Sequence, residues 1–341
     1  MQRNTLALIA LAGLLSLSGC AQKVTIKTLQ PAQIDRAASA KQIGVLPFDS
    51  DYIGLGPKIE ATLAAYQLEP GKSYFTVVGR SDLDRVIEEQ KFQHSGLADD
   101  AKAAQLGQLA GAQALISGTV STAAVNDSVH YENRSRCASS DKNGKCLKTE
   151  SYPVPCRKRT ATLAAQVRMV DVQKGDLITA RNFNETNSWT YCYDGSSDQT
   201  PSKEQGLSML ADRIASQFVR IVTPRYVSFE VELIEKLDVE VPGAQEDKFD
   251  GALSYIKEGR FDRGAQLLGD LMDETGRQSY AVAYNLGVLR EAEGNYAEAK
   301  RLYVLADRLA VKPVKPINRA VSRIDGVIAK HNKALEQIGR E

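Results

Sequence analysis

The hydrophobic positions between residues 42 and 121 predict a compact α/β unit. Gln42–Phe48 is an apolar run that is typical of a buried strand. A helix is predicted over 55–66, because Ile59, Leu63 and Tyr66 fall on one face. Residues 74–121 then predict a strand, two helices and a second strand, with apolar residues spaced i, i+3 and i+4 between two β-branched runs.

A second group of elements follows between residues 160 and 241. Thr160–Val172 alternates apolar and polar positions, which predicts a half-buried strand. A hairpin turn is predicted at residues 173–176, because Gly175 can adopt a positive φ, and Leu177–Tyr193 is the return strand. Lys203–Val222 has the spacing of an amphipathic helix, and a β-like segment then ends at Pro242 and Gly243. These last two residues mark a domain boundary.

Residues 122–159 interrupt this pattern with a polar insertion. The stretch contains three cysteines and two prolines, and after residue 132 its basic residues outnumber the two acidic ones, Asp141 and Glu150. The eight basic residues are Arg134, Arg136, Lys142, Lys145, Lys148, Arg157, Lys158 and Arg159. We interpret the insertion as a solvated, disulfide-stapled loop. The other interpretation is a basic contact surface for anionic envelope polymers or an acidic partner.

Four cysteines follow residue 20, and an even number in an oxidising compartment predicts two disulfides with three possible connectivities. The predicted hairpin register narrows the choice. A turn centred on residues 174 and 175 brings Cys156 within one residue of facing Cys192. We therefore predict Cys156–Cys192, which leaves Cys137–Cys146 as a short loop staple.

The N-terminus predicts a targeting segment over 1–19. Arg3 supplies a positive charge before an apolar run that is too short to span a bilayer comfortably. The run ends in Leu-Ser-Gly-Cys at residues 17–20, which matches the bacterial lipobox. That match implies cleavage before Cys20 and its lipidation, and Ala21 favours sorting to the outer membrane. Residues 20–41 are polar and are predicted to be a tether.

Residues 245–341 predict an all-α module. Small and aromatic residues recur after about 35 positions, in the places that resemble tetratricopeptide repeats, with the clearer copy at 281–310. Ile317–Ile338 is predicted as a capping helix, and a solitary helical hairpin is the alternative to a repeat module. The expected partner-binding groove is lined by Phe249, Leu253, Ala281, Tyr284, Val288 and Glu291.

Composition and motifs argue against an enzyme or a nucleic-acid binder. The formal net charge is +1, which does not favour binding through bulk electrostatics. The chain has three histidines, in three different segments, and no GxSxG, HExxH, P-loop or CxxC motif. We therefore predict no catalytic residue, no metal site and no cofactor.

Four motifs in series resemble the CsgG family of secretion lipoproteins. They are IGVLPF at 43–48, VVGRSDLDRVIEEQKF at 77–92, LGQLAGAQALISGTV at 106–120 and VRMVDVQKGDLITA at 167–180. The resemblance implies a mixed α/β domain that is similar to the anticodon-binding-like domain of peptidoglycan-synthase activator lipoproteins. It also implies membrane hairpins after Ser121 and Thr186, which this chain lacks the apolar alternation to form.

Together these patterns predict an α/β protein with a CsgG-like domain at 42–241 and a tetratricopeptide-like helical domain at 245–341. The expected function is a lipid-anchored scaffold or accessory factor in cell-envelope assembly or export, on the periplasmic face of the outer membrane. It would bind an envelope protein through its groove and the membrane through its anchor, and it could form homo-oligomers. The alternatives are a CsgG-like oligomeric secretion channel and an activator of a peptidoglycan synthase.

Overall fold

A computed structural model describes residues 22–79, 81–83, 85, 100–195 and 197–339 of the chain. These residues form two compact units. The helical unit contains Val227–Ala329 and the described residues up to Thr28, and the sheet unit contains Leu29–Tyr226 and the residues from Lys330 onward. The predicted fold class, a mixed α/β domain followed by helices, is confirmed. The predicted signal segment at 1–19 and Cys20 lie outside the described residues.

The strands of the sheet unit are β2 (Gln42–Val45), β3 (Gln67–Glu69), β4 (Lys72–Ser73), β5 (Thr76–Val77), β6 (Ala114–Ser140), β7 (Cys146–Asp171) and β8 (Leu177–Cys192). Five of them form one sheet in the order β5-β2-β6-β7-β8. Strands β5, β2 and the start of β6 run parallel, whereas β6, β7 and β8 are antiparallel. A short β3–β4 pair forms a separate ribbon.

Helices cover both faces of this sheet, because its parallel strands are apolar on both sides. One core joins the sheet to α2 and α4 through side chains such as Leu163, Ile59 and Phe218, which are all fully buried. A smaller core on the opposite face joins Leu115 to Leu106 of α3. The helices are α1 (Asp35–Ser39), α2 (Leu55–Ala65), α3 (Asp100–Leu109) and α4 (Lys203–Val222).

The predicted unit at 74–121 is observed in part. Thr76–Val77 is a strand, the second predicted helix is α3, and the return strand is the start of β6. Gly111, with φ at +70°, follows α3 as a terminating glycine. Most of the first predicted helix, including Val86 and Ile87, lies outside the described residues, as does Asp99.

Two sequence-based predictions are wrong in the described residues. Residues 22–41 are not a tether, because they contain strand β1 (Lys23–Gln30) and helix α1. Val24 and Ile26 of β1 are buried between exposed neighbours. This alternation is short and lies in a mostly polar segment, so the sequence pattern does not identify the strand. The insertion at 122–159 is not a loop but most of a long β-hairpin, formed by β6 and β7.

The helical unit consists of helix pairs packed with a two-stranded β1–β9 sheet, in which β9 is Arg225–Glu232. Within each pair, α5 with α6 and α7 with α8, the helices approach closely at a glycine. A Cβ on Gly264 would lie 2.6 Å from Ile256 Cγ1, and one on Gly287 would lie 2.8 Å from Tyr303 Cε1. The helices are α5 (Gly243–Lys257), α6 (Phe261–Glu274), α7 (Tyr280–Ala292), α8 (Tyr296–Leu309) and α9 (Lys315–Gln337).

Candidate functional site

The β6–β7 hairpin is the most extended feature of the sheet unit. Its two strands pair from Ala114 opposite Asp171 out to Ser140 opposite Cys146. The turn at the tip closes because the Asp141 carboxylate accepts hydrogen bonds from the backbone N–H groups of Asn143 and Lys145, both at 2.9 Å. Such an aspartate-centred turn is what a short polar stretch containing glycine favours.

The environment of the hairpin changes along its length. The inner half packs on α4, and Ala161 and Leu163 there are fully buried. Strand β8 pairs with β7 only as far as Cys192 opposite Cys156, beyond which the backbone N–H of Tyr193 donates to the Pro155 carbonyl. Between residues 133 and 153 nearly every side chain is exposed. The outer half therefore has no apolar core of its own.

Two disulfides cross-link the hairpin. Cys156 and Cys192 are opposite each other on adjacent strands, with Cα atoms 3.9 Å apart, and this pair is buried beside Val154. Cys137 and Cys146 are joined across the exposed tip, with Cα atoms 5.7 Å apart. Both pairings are those that the sequence predicts. A closed tip loses less conformational freedom on binding than an open loop would.

The four arginines among the eight basic residues are neutralised by acids of the sheet unit. Arg159 forms two 2.7 Å hydrogen bonds with Asp127, and this guanidinium lowers the pKa of the Asp127 carboxyl. Arg136 donates to Glu150 at 2.5 Å. The other two pairs are Arg157 with Asp198 and Arg134 with Glu132. Their charge is therefore largely compensated within the chain.

The four lysines of the set are different. Lys142, Lys145, Lys148 and Lys158 are exposed, and none of them makes an ion pair with a described residue. The first three surround the tip, next to the Cys137–Cys146 disulfide. Sequence counting identifies the basic stretch, but it cannot separate paired arginines from unpaired lysines, because the strand register decides which acid faces which base, and one partner, Asp198, lies outside the stretch. Most of the uncompensated positive charge of this set therefore lies at the tip.

Apolar side chains are also exposed on the hairpin. Val129 is 66% exposed, Tyr131 71% and Leu147 66%. His130, Glu132 and Cys156 bring potential metal-ligand atoms within 4.8 Å of one another. Cys156 is bonded to Cys192, so its sulfur is not a thiolate that could coordinate a metal in this structure.

The partner-binding groove that the sequence predicts is not open in the helical unit. Phe249, Leu253, Ala281, Tyr284, Val288 and Glu291 are each 8% exposed or less. The chain itself covers them. The Tyr284 hydroxyl donates to the Glu232 carbonyl of β9 at 2.7 Å, and Asn285 hydrogen-bonds both backbone groups of Ile234. Val24 and Ile26 of β1 belong to the same core. The predicted docking face is thus an internal packing face.

Glu291 is the centre of a buried polar cluster rather than a surface contact. Its carboxylate accepts from the Tyr303 hydroxyl at 2.6 Å and from Arg323 Nη2 at 2.7 Å and Nε at 3.2 Å. Burial raises the pKa of Tyr303, and the adjacent carboxylate raises it further. Burial is the largest single influence on Arg323 and would lower its pKa, but the hydrogen bond to Glu291 and the attraction of that carboxylate together outweigh it, and the pKa is raised. The cluster is satisfied within the chain.

No helix in the described part of the chain combines the length and the apolar character that crossing a membrane requires. The predicted lipidation site, Cys20, lies outside the described residues, so lipidation stays a prediction from the lipobox.

Several solved structures match part of the chain at low sequence identity. The C-terminal domain of LpoB from Salmonella enterica is 14% identical, with 43% of this chain and 83% of that chain covered and a TM-score of 0.25. Lipoprotein GNA1162 from Neisseria meningitidis is 15% identical, with 52% and 97% covered and a TM-score of 0.27. The PelC dodecamer from Paraburkholderia phytofirmans is 15% identical, with 59% and 98% covered and a TM-score of 0.25.

Likenesses at such TM-scores do not establish a shared function. No curated protein matches the chain. A family model does match, the one described as curli production assembly/transport component CsgG, and it covers residues 71–192. The match ends at the last residue of β8, so it contains the whole cross-linked hairpin. Residues 71–192 therefore contain a domain that matches the CsgG family model.

Proposed function

We propose that the protein is an outer-membrane lipoprotein, anchored through Cys20, that acts in the periplasm as a scaffold or accessory factor in envelope assembly or export. The lipobox at residues 17–20 supports the anchor. The two disulfides are consistent with an oxidising compartment. The family description, which names an assembly and transport component, supports the envelope role.

The surface that we assign to partner contact is the tip of the β6–β7 hairpin. One observation carries this assignment: Lys142, Lys145 and Lys148 are exposed on a covalently closed tip, and none of them has an acidic partner among the described residues. An acidic surface on a partner protein would be attracted to these charges and would supply the missing counter-ions. Leu147, 66% exposed between them, adds an apolar contact.

In-cell cross-linking tests this role. A photoreactive phenylalanine analogue replaces Leu147, and adducts are isolated from irradiated cells. We expect a discrete adduct with an envelope protein. Changing Lys142, Lys145 and Lys148 to Glu should reduce its yield at least tenfold, because the tip charge is then reversed. The control changes Lys174, Lys257 and Lys312 to Glu, which are exposed lysines elsewhere without an ion pair to a described residue. Equal adduct yields from both triple variants would contradict the assignment.

The anchor has a separate test. Cells are labelled with an alkyne-bearing fatty acid, and the protein is then isolated and probed for the label. We expect the label on the natural chain and none on Cys20→Ser. The double variant Cys137→Ala with Cys146→Ala should keep the label, because those thiols are joined in a disulfide. Label on the Cys20 variant would refute the anchor without affecting the tip assignment.

The tetratricopeptide assignment of the C-terminal helices, the secretion-channel alternative and the synthase-activator alternative stay predictions from the sequence. The buried face of the helical unit is not proposed as a partner site, because its residues are covered by β1 and β9.

A further inference from the structure

A cavity of about 290 Å³ lies in the sheet unit, away from the hairpin tip. Lys41, Leu68, Glu69, Lys72, Tyr74 and Ile338 line it. Its volume is close to the lower end of the range for small-molecule pockets, about 300–1,000 Å³. The walls are mixed, because Leu68, Ile338 and the Tyr74 ring are apolar whereas two lysines and one acid supply polar groups.

Lys41 is held in this cavity by two contacts. Its ammonium donates to the Ala38 carbonyl at 2.9 Å, and it lies 3.5 Å from the centre of the Tyr74 ring. The Tyr74 hydroxyl donates to the same carbonyl at 2.9 Å, which fixes the ring under the ammonium. An ammonium has three N–H donors, and Ala38 satisfies one of them. The remaining donors are available to a ligand in the cavity.

This ammonium has no anionic partner. Lys41 makes no ion pair with a described residue, and burial lowers its pKa to about 8. The titratable groups around it are Tyr74, whose pKa burial raises, Tyr66 packed edge-on against that ring, and Glu69 and Lys72 on the cavity wall. Burial disfavours a charged amine unless an opposite charge compensates it. An anion that entered the cavity would supply that charge.

We propose that this cavity binds a small organic carboxylate, whose anionic group lies beside Lys41 and whose apolar body packs against Leu68 and Ile338. The carboxylate accepts hydrogen bonds from the ammonium, and these charge-assisted bonds are the strong ones. The cavity volume, just below that range, suits a ligand smaller than a drug-sized molecule. Binding favours the charged form of Lys41, so the carboxylate raises the pKa of Lys41 and binds less tightly as the pH rises above that pKa.

Competitive acetylation tests this site on the full-length protein in nanodiscs. The protein is acetylated with an amine-selective reagent near pH 8, and each lysine is quantified by mass spectrometry. Benzoate is the probe, and inorganic phosphate and benzyl alcohol are the comparison compounds. We expect benzoate to slow acetylation of Lys41 at least fivefold, because the bound carboxylate keeps the amine protonated and covered. The exposed Lys174 serves as the internal reference and should not change.

Phosphate and benzyl alcohol should not protect Lys41, because one lacks the apolar body and the other lacks the charge. Equal protection of Lys41 and Lys174, or none at either, overturns the proposal. Protection by phosphate as strong as that by benzoate also overturns it. In a second measurement, benzoate binding followed by calorimetry should be lost in Lys41→Met and retained in Lys174→Met, with equal melting temperatures confirming that both variants fold.

Discussion

The two units each contain an arginine–glutamate pair, and the pairs differ in their surroundings. In the helical unit, Arg323 donates twice to a Glu291 side chain that is 0% exposed. In the hairpin of the sheet unit, Arg136 donates to Glu150, and the two side chains are 64% and 43% exposed. The Arg136–Glu150 distance, 2.5 Å, is no longer than the shortest Arg323–Glu291 distance, 2.7 Å. The donor–acceptor distance alone therefore does not show which pair contributes more to stability.

Exposure to solvent decides how much each pair contributes to stability. A buried carboxylate has lost its hydration, so it depends on every hydrogen bond that the chain gives it. The charges of an exposed pair stay hydrated whether or not they form the pair, so the pair adds little to the free energy of unfolding. The helical unit therefore uses its buried pair for structure, whereas the exposed pair of the hairpin adds little to stability. The following changes test this contrast, in order of decreasing expected effect.

Glu291→Ala is expected to have the largest effect. It leaves the Arg323 guanidinium and the buried Tyr303 hydroxyl without their acceptor, which typically costs about 3–5 kcal/mol of unfolding free energy. Urea unfolding followed by circular dichroism at the helical band measures this loss. The only tryptophan, Trp189, lies in the sheet unit, so its fluorescence monitors that unit separately.

The control for Glu291 is a double variant, Glu291→Leu with Arg323→Met. Removing both charges leaves no unpaired charge in the core, and only the Tyr303 hydroxyl still lacks its acceptor, so this variant should recover at least half of the stability that Glu291→Ala loses. If Glu291→Ala unfolds at the same urea concentration as the natural chain, the buried cluster is not structural.

The two disulfides are expected to rank next, in a fixed order. Cys156–Cys192 closes a sequence separation of 36 residues and Cys137–Cys146 one of 9. The chain-entropy model assigns them about 4 and about 3 kcal/mol. The first pair is also buried beside Val154, so its double alanine variant loses packing as well. Urea unfolding followed by Trp189 fluorescence should therefore shift more for that variant than for Cys137→Ala with Cys146→Ala.

An equal or reversed order would contradict the division of the hairpin into a buried inner half and an exposed tip. Reduction of the natural protein provides the matched measurement, because it opens both bridges without a substitution. Its unfolding midpoint should fall at least as far as that of the Cys156 and Cys192 variant.

The hairpin shows what sequence reasoning could and could not predict. Counting from the turn at residues 173–176 places Cys156 close to Cys192, because an antiparallel register is fixed by its turn. The sequence predicts a loop for the outer half because charges, cysteines and the prolines Pro153 and Pro155 stand in place of alternating apolar residues. The carbonyl of Pro155 faces the β8 side, where Tyr193 donates to it, so its missing N–H is not needed by the β6 ladder. Proline is compatible with pairing on one side only, and sequence does not reveal that side.

In the helical unit, the sequence predicts an apolar face correctly but does not predict what packs on it. Periodicity identifies Tyr284 and Val288 as one apolar face, and the structure agrees that they share a core. Periodicity cannot say what covers that face. The covering strands, β1 and β9, lie more than 200 residues apart at their partner positions, as in the Lys23–Glu230 bond. Each strand is short and half polar, so neither gives a strong local signal. Long-range pairing decides whether an apolar face is a groove or a core.

Glu150→Gln is expected to have the smallest effect on stability and a measurable effect on contact. The pair with Arg136 is exposed, so the urea midpoint should match that of the natural chain. The substitution leaves the Arg136 charge uncompensated beside the tip lysines. The cross-linked adduct through position 147 should therefore increase, and this gain should disappear at high salt because exposed charges are screened. A lower midpoint without a gain in adduct would show that the hairpin uses its charges for structure, as the helical unit does.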